Sequence, residues 1–369
     1  MRVRFEPRYA ELLNRAAELT GPDPLPAELA VSGLLGSVWS MAASGEHRAL
    51  REGLVAFLAE HPGRPALALL RAAASMGSPP ERAAAAEAAE AMAATEVAEP
   101  EWAGPAGRVT CGPCLVYGDV FGDQESVVAT FGYPSGETHA LVVLVDQNLG
   151  GIVKDMFCAT RAERALRAIR RANAADGPMS VLEEITAGQA RTRLDRAFAA
   201  CRSAWEPPVG ENARALWALA GSRLAKLPEG PAASTPDRYD ENARAGFVRE
   251  FLTSPQARTL PDLDAAATCA RLVVDHGCDY DGGNPLRISP AKSELFLLYW
   301  LPRQPPLAPA PAAGMPAVLE AWVRWAASGQ GMSGQPLAEV IAAIRECSEK
   351  FSAGYGDSGG GSTGAIPAG

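Results

Sequence analysis

Apolar residues recur every three or four positions along the first hundred residues, which is the spacing of one face of an α-helix. This pattern predicts helices over 9–19, 27–43, 47–61, 65–76 and 81–94, with proline or glycine between several of them. No fixed repeat period relates these segments to one another. They therefore predict an antiparallel helical bundle over 1–100 rather than a repeat array.

The pattern changes after Gly107. Segments 109–117, 126–133, 138–146 and 151–158 are rich in Val, Phe, Tyr and Thr and are separated by Gly, Pro, Asp and Asn, which predicts strands joined by turns. Because the connections are short, the strands predict an antiparallel meander rather than parallel pairing. The third strand is apolar on both faces, so we expect it to be central and covered by helices on at least one side.

Helical spacing returns from residue 160 onward. It predicts helices over 160–173, 187–203, 211–226, 239–253, 261–275, 290–301, 316–327 and 336–351. A proline-rich linker is expected over 302–316 and a disordered Gly/Ser tail over 354–369. The fold class is therefore α+β, with a helical N-terminal region (1–100), a small antiparallel sheet with packed helices (107–230) and a helical C-terminal region (235–353).

Composition and charge argue against several classes of protein. Lys and Arg number 34 and Asp and Glu 43, giving a net charge of −9, which disfavours binding of nucleic acid or anionic lipid by bulk charge alone. The seven cysteines are scattered and odd in number, unlike a disulfide framework. The sequence shows no signal peptide and no apolar run long enough to cross a bilayer. We therefore expect a cytoplasmic protein that does not contact membranes.

One cysteine pair matches a redox motif by its letters. Residues 111–114 read Cys-Gly-Pro-Cys, as in thioredoxin, where the first cysteine lies at a helix N-terminus that lowers its pKa. Here the residues that follow predict a strand and a turn. The context therefore predicts two incidental thiols in a strand rather than thioredoxin-like chemistry.

Acidic residues mark one end of the predicted sheet. In an antiparallel meander the turn after the first strand and the turn after the third lie at the same edge, which brings Asp119, Asp123 and Asp146 together, with Asp155 a few residues into the fourth strand. Clustered carboxylates suit Mg²⁺ or Mn²⁺, and such a site can activate water for phosphoester hydrolysis. Asp is also an ordinary turn residue, because its side chain binds backbone N–H groups, so a structural role of these residues is favoured over a metal site.

The predicted helix over 160–173 carries arginines mostly at three-residue spacing: Arg161, Arg164, Arg167, Arg170 and Arg171. Such a basic stripe is compatible with DNA binding, and equally with a solvated helix face.

Three segments resemble stretches of uncharacterised bacterial proteins: GDxxGDQ at 118–124, LVVLVDxNLGG at 141–151 and CDYDGGxPLRISP at 278–290. The resemblance spans residues 110–350 and implies no activity, cofactor or partner.

Four widely spaced histidines, with neither a nucleophile–base pair nor a phosphate-binding loop, favour a non-catalytic function. The leading interpretation is a module that binds or regulates an unidentified protein partner. The alternatives are a metal-dependent hydrolase using the four aspartates and a DNA-binding protein using the arginine-rich helix.

Overall fold

The computed structural model describes residues 4–17, 22–38, 45–232 and 238–357. Within these residues the chain forms thirteen α-helices and one five-stranded antiparallel sheet, with helices before and after it. The α+β prediction is therefore confirmed.

Five helices form the N-terminal region, close to where the apolar spacing predicts them: α1 (Glu6–Ala16), α2 (Leu25–Gly36), α3 (Glu46–Glu60), α4 (Arg64–Ala73) and α5 (Pro79–Ala93). Proline lies in the first turn of α1, α2, α4 and α5, where its missing N–H has no helical partner in any case. The helix predicted over 27–43 ends at Gly36, with Ser37 as its C-cap, and residues 39–43 of that prediction lie outside the described residues.

The sheet contains β1 (Thr110–Asp119), β2 (Gln124–Gly132), β3 (Thr138–Asp146), β4 (Ile152–Ala159) and β5 (Ser180–Ile185), in the order β4-β3-β2-β1-β5. The predicted four-strand meander is confirmed. The fifth strand was not predicted. It pairs with the free edge of β1, and its exposed Glu183 and Glu184 interrupt the apolar alternation that identifies a strand in sequence.

Helices cover both faces of the sheet. α6 (Ala162–Asp176) packs through Ala162 and Leu166 on one face, over Leu115 and Val128. α7 (Ala187–Ser203) and α8 (Glu211–Leu224) pack on the other face. The core under α7 and α8 is continuous with the core of α1–α5, so the N-terminal helices and the sheet bury their apolar side chains together.

A buried polar cluster lies within this shared core. It consists of Glu28 on α2, Tyr133 after β2, His139 on β3 and Arg223 on α8. Arg223 donates to Glu28, to the Tyr133 hydroxyl at 2.6 Å and to His139 Nε2 at 2.9 Å. Glu28 also accepts from the Tyr133 hydroxyl at 2.5 Å. The cluster thus connects an N-terminal helix, the sheet and α8 through charged hydrogen bonds.

The remaining helices enclose a second core: α9 (Glu241–Thr253), α10 (Leu263–Tyr280), α11 (Pro290–Glu294), α12 (Pro309–Gln330) and α13 (Gln335–Asp357). A π-helix, Leu295–Trp300, follows α11 directly.

Two boundaries predicted for this region are wrong. The linker expected over 302–316 is shorter than predicted, because α12 begins at Pro309. Prolines in the first turn of a helix cost no hydrogen bond. Pro316 lies further along, inside α12. Helix α13 continues to Asp357, past the predicted start of the tail at 354, and residues 358–369 lie outside the described part of the chain. No helix among the described residues is both long and apolar enough to span a membrane.

Candidate functional site

The structure brings three of the four predicted metal ligands to one end of the sheet. Asp119 ends β1, Asp123 precedes β2, and Asp146 ends β3 directly opposite Gln124. The turns that carry these three aspartates lie next to one another, as the predicted meander requires. We call Asp119, Asp123 and Asp146 the acidic edge.

Asp119 closes the turn between β1 and β2. Its two carboxylate oxygens accept from three backbone N–H groups, those of Phe121 at 2.9 Å, Asp123 at 3.0 Å and Gln124 at 2.7 Å. This arrangement satisfies donors that the tight turn would otherwise leave unpaired, which is the structural role that Asp commonly has in turns.

Cationic side chains bind the other two carboxylates of the acidic edge. Asp146 contacts Lys154 Nζ at 2.9 Å and caps the following turn through Asn148 N–H at 3.0 Å. Asp123 contacts Arg287 at 2.5 Å. Arg287 belongs to the loop between α10 and α11 and also binds Asp281, so the acidic edge is joined by ion pairs to the C-terminal helical region.

Asp155 lies apart from the acidic edge, opposite Leu144 and further along the sheet. Its carboxylate accepts from Ala213 N–H at 3.2 Å in the first turn of α8. The positive end of the helix dipole stabilises a carboxylate at this position.

Among the described residues, no group of three or more His, Cys, Asp or Glu side chains is arranged to hold a metal ion. Binding of Mg²⁺ or Mn²⁺ by Asp119, Asp123, Asp146 and Asp155 stays a prediction, and so does the hydrolase activity that would depend on it.

The arginine-rich segment forms α6, preceded by Arg161. Arg167 pairs with Glu163 at 3.1 Å and Arg170 with Glu184 at 2.8 Å, so two of the five guanidinium groups contact carboxylates of the same chain. Arg161, Arg164 and Arg171 are exposed. DNA binding through this face stays a prediction.

A cleft that the sequence did not reveal lies on the surface where the N-terminal helices meet α7 and α8. It consists of two adjoining cavities of about 740 Å³ and 670 Å³ that share His47, Arg51, Arg202, Trp217 and Ala218. We call it the basic cleft. At one end α2 and α8 approach so closely that a Cβ on Gly36 would lie 2.2 Å from the carbonyl oxygen of Arg214, so only glycine fits this contact.

Among the described residues that line the basic cleft, cationic side chains outnumber acidic ones, although the whole chain carries a net charge of −9. The cations are Arg51, Arg82, Arg191, Arg202, Arg214 and Lys226, and the carboxylates are Glu81, Asp195 and Glu206. The cleft is therefore a local region of positive charge on an acidic protein, which attracts an anionic group.

Arg51 lies where the two cavities meet. Its side chain is only 11% exposed, and its nearest carboxylate oxygen, on Glu81, is 3.4 Å from Nε. That Nε is buried without a hydrogen bond to any described residue. Burial lowers the pKa of Arg51 and also that of His47, one helical turn away on α3. The guanidinium is thus poorly solvated, and Glu81 is its counter-charge.

Two tryptophans give the basic cleft an apolar component. Trp205, in the connection between α7 and α8, is 94% exposed and is followed by Glu206 and two prolines. Trp217 on α8 packs against Phe198 with ring centroids 4.2 Å apart. A large aromatic side chain that is almost fully exposed beside arginines is typical of residues that contribute most to binding at protein interfaces.

Sequence reasoning missed the basic cleft because its walls come from α2, α3, α5, α7 and α8, which are far apart in the chain. A local signal of the cleft was the segment 204–208, which contains a tryptophan and two prolines and lies between two predicted helices.

No protein-family model matches the chain, and no curated protein or solved structure matches it either.

Proposed function

We propose that this protein is a non-catalytic module that binds an acidic segment of a partner protein in the basic cleft. The observation that carries the proposal is the Arg51 side chain, which lines both cavities of the cleft although it is only 11% exposed. A poorly solvated cation that borders a cavity supports the binding of an anion there, because little water competes for the charge.

A carboxylate is the acceptor that this site favours. It would receive a charge-assisted hydrogen bond from Arg51, and the low local solvation strengthens that bond relative to one at an open surface. Arg202 and Arg214 are exposed at the edge of the cleft and add attraction that is weaker and screened by salt.

The apolar walls favour a protein segment over a nucleic acid. Leu35, Trp205, Pro207 and Trp217 line the larger cavity beside the arginines, and they suit an apolar side chain placed next to carboxylates. A polyanion such as DNA would also meet the repulsion of a chain with net charge −9.

The proposal is tested with a fluorescently labelled polyglutamate peptide that carries one central phenylalanine, added to the full chain and followed by fluorescence anisotropy. Arg51→Gln is expected to weaken binding by about 30-fold or more, since loss of a buried charged donor costs about 2 kcal/mol or more. Trp205→Ala is expected to weaken it by about tenfold with no effect on folding, because the side chain is 94% exposed.

Arg164→Glu is the matched control, because it reverses an exposed arginine on α6, away from the cleft, and is expected to leave the affinity within about twofold. A polylysine peptide with the same central phenylalanine is expected not to bind. The proposal is wrong if Arg51→Gln and Trp205→Ala bind like the control, or if single-stranded oligothymidylate binds more tightly than the acidic peptide.

A further inference from the structure

The Cys-Gly-Pro-Cys segment contains a β-bulge. Cys111 pairs with Phe131 and Cys114 with Ala129, so Gly112 and Pro113 together lie opposite the single residue Thr130. The Thr130 hydroxyl donates to the Pro113 carbonyl at 2.8 Å, and a Cβ on Gly112 would lie 2.7 Å from the same hydroxyl oxygen. A side chain at position 112 would therefore displace the Thr130 hydroxyl that holds the bulge closed.

The bulge decides where the two thiols point. In a regular strand, residues three apart point to opposite faces, because side chains alternate. One extra residue between the cysteines restores them to the same face, and their Sγ atoms lie 3.7 Å apart. The sequence context predicts two incidental thiols, whereas the bulge places the two thiols side by side on one face of the strand.

We propose that Cys111 and Cys114 form a reversible intrachain disulfide by exchange with a low-molecular-weight disulfide such as oxidised glutathione. The Cys111 thiolate attacks one sulfur of the small disulfide, a protein–glutathione bond forms, and one glutathione thiolate leaves. Cys114 then loses its proton and attacks Cys111 Sγ, releasing the second glutathione. The protein dithiol is oxidised, one disulfide is reduced to two thiols, and both thiol protons pass to them through solvent.

The surroundings of the two sulfurs set this order of attack. Cys111 is half-buried, whereas Cys114 is buried. The hydrogen bond from Cys114 lowers the pKa of Cys111, and the same contact together with burial raises the pKa of Cys114. The thiolate therefore forms on the less buried of the two cysteines, which is the one that meets an external disulfide.

Closing the bond requires the sulfurs to approach from 3.7 Å to about 2.0 Å. Rotation about the side-chain bonds and a small adjustment of the bulge provide this movement, since the bulge is already a local departure from the regular ladder. No helix N-terminus activates Cys111, so the site is a modification site of this chain rather than a thioredoxin-like catalyst.

The test is incubation of the full chain with excess oxidised glutathione, followed by alkylation, proteolysis and mass spectrometry of the 111–114 peptide. The expected product has a 111–114 disulfide, no glutathione adduct, and is returned to two free thiols by dithiothreitol. Cys114→Ser is expected to stop at a stable glutathione adduct on Cys111, and Cys111→Ser to leave Cys114 unmodified.

Cys278→Ser is the matched control, because Cys278 is another half-buried thiol and its loss is expected not to change the yield of the 111–114 disulfide. The proposal is overturned if the wild-type chain retains two alkylatable thiols, ends as a stable adduct on Cys111, or forms disulfides only between chains. It is equally overturned if Cys111→Ser is glutathionylated on Cys114 as fast as Cys114→Ser is on Cys111.

Discussion

Removal of the charge on Glu28 is the perturbation whose effect the structure defines most sharply. Glu28 is 0% exposed and Arg223 1% exposed, and the two form an ion pair between α2 and α8. The same two helices form one end of the basic cleft. The buried polar cluster and the cleft therefore both depend on how α2 packs against α8. Glu28→Gln keeps the shape of the side chain, removes its charge and replaces one of its two acceptor oxygens, which accept from Gly107, Tyr133 and Arg223, by an NH2 donor.

The expected loss in the free energy of unfolding follows from the charge of Arg223, which remains buried after the substitution. Arg223 would keep its hydrogen bonds to Tyr133 and His139 but would have no buried counter-charge. An uncompensated buried charge typically costs about 3–5 kcal/mol. Arg223→Met is expected to cost about as much, because it leaves the Glu28 carboxylate unpaired. The double variant is expected to cost less than either single variant, because no charge is then buried.

Urea unfolding at pH 7, followed by circular dichroism, measures these differences. Glu52→Gln on α3 is the matched control; its side chain is 72% exposed, and its substitution is expected to change the free energy of unfolding by about 0.5 kcal/mol or less. The reasoning fails if Glu28→Gln costs no more than Glu52→Gln, or if the two single losses simply add in the double variant.

Three further perturbations test other parts of the structure. Burial lowers the pKa of His139 to about 3 and that of His276 to about 4. Between pH 6.5 and these values the unfolded chain binds more protons than the folded one, so the free energy of urea unfolding falls with pH by up to about 1.4 kcal/mol per pH unit for each histidine. His139→Gln is expected to flatten this dependence. Asp119→Ala is expected to cost about 1–3 kcal/mol in urea unfolding, since three backbone N–H groups lose their acceptor. Arg287→Met is expected to make the C-terminal helical region more susceptible to limited proteolysis, because Asp123 loses its ion pair with that region. Unchanged pH profiles, stability or cleavage rates would contradict these expectations.

Sequence reasoning succeeded where local pattern determines structure. Short connections between 109–117, 126–133, 138–146 and 151–158 left an antiparallel meander as the simplest arrangement, and the same topology placed Asp119, Asp123 and Asp146 at one edge. Apolar spacing located the N-terminal helices to within three residues at every end except that of α2, which lies at Gly36 rather than at 43, because their buried faces repeat at the helical period.

The partners of those aspartates could not be predicted. Asp123 pairs with Arg287, 164 residues away in the chain, and no local pattern indicates such a contact. The dithiol shows the same limit, because the Cys-Gly-Pro-Cys letters are visible in sequence whereas the bulge depends on Thr130 of the neighbouring strand. The basic cleft was missed for this reason too, since five helices contribute to it.

The position of bound peptide in the basic cleft is the most direct test of the proposed function. Fluorine NMR of the full chain labelled with 5-fluorotryptophan reports each tryptophan separately, with signals assigned from Trp205→Phe and Trp217→Phe variants. Titration with the acidic peptide is expected to shift the signals of Trp205 and Trp217 and leave that of Trp322, buried in the C-terminal core, unchanged. Saturating peptide that moves neither Trp205 nor Trp217 would contradict the account.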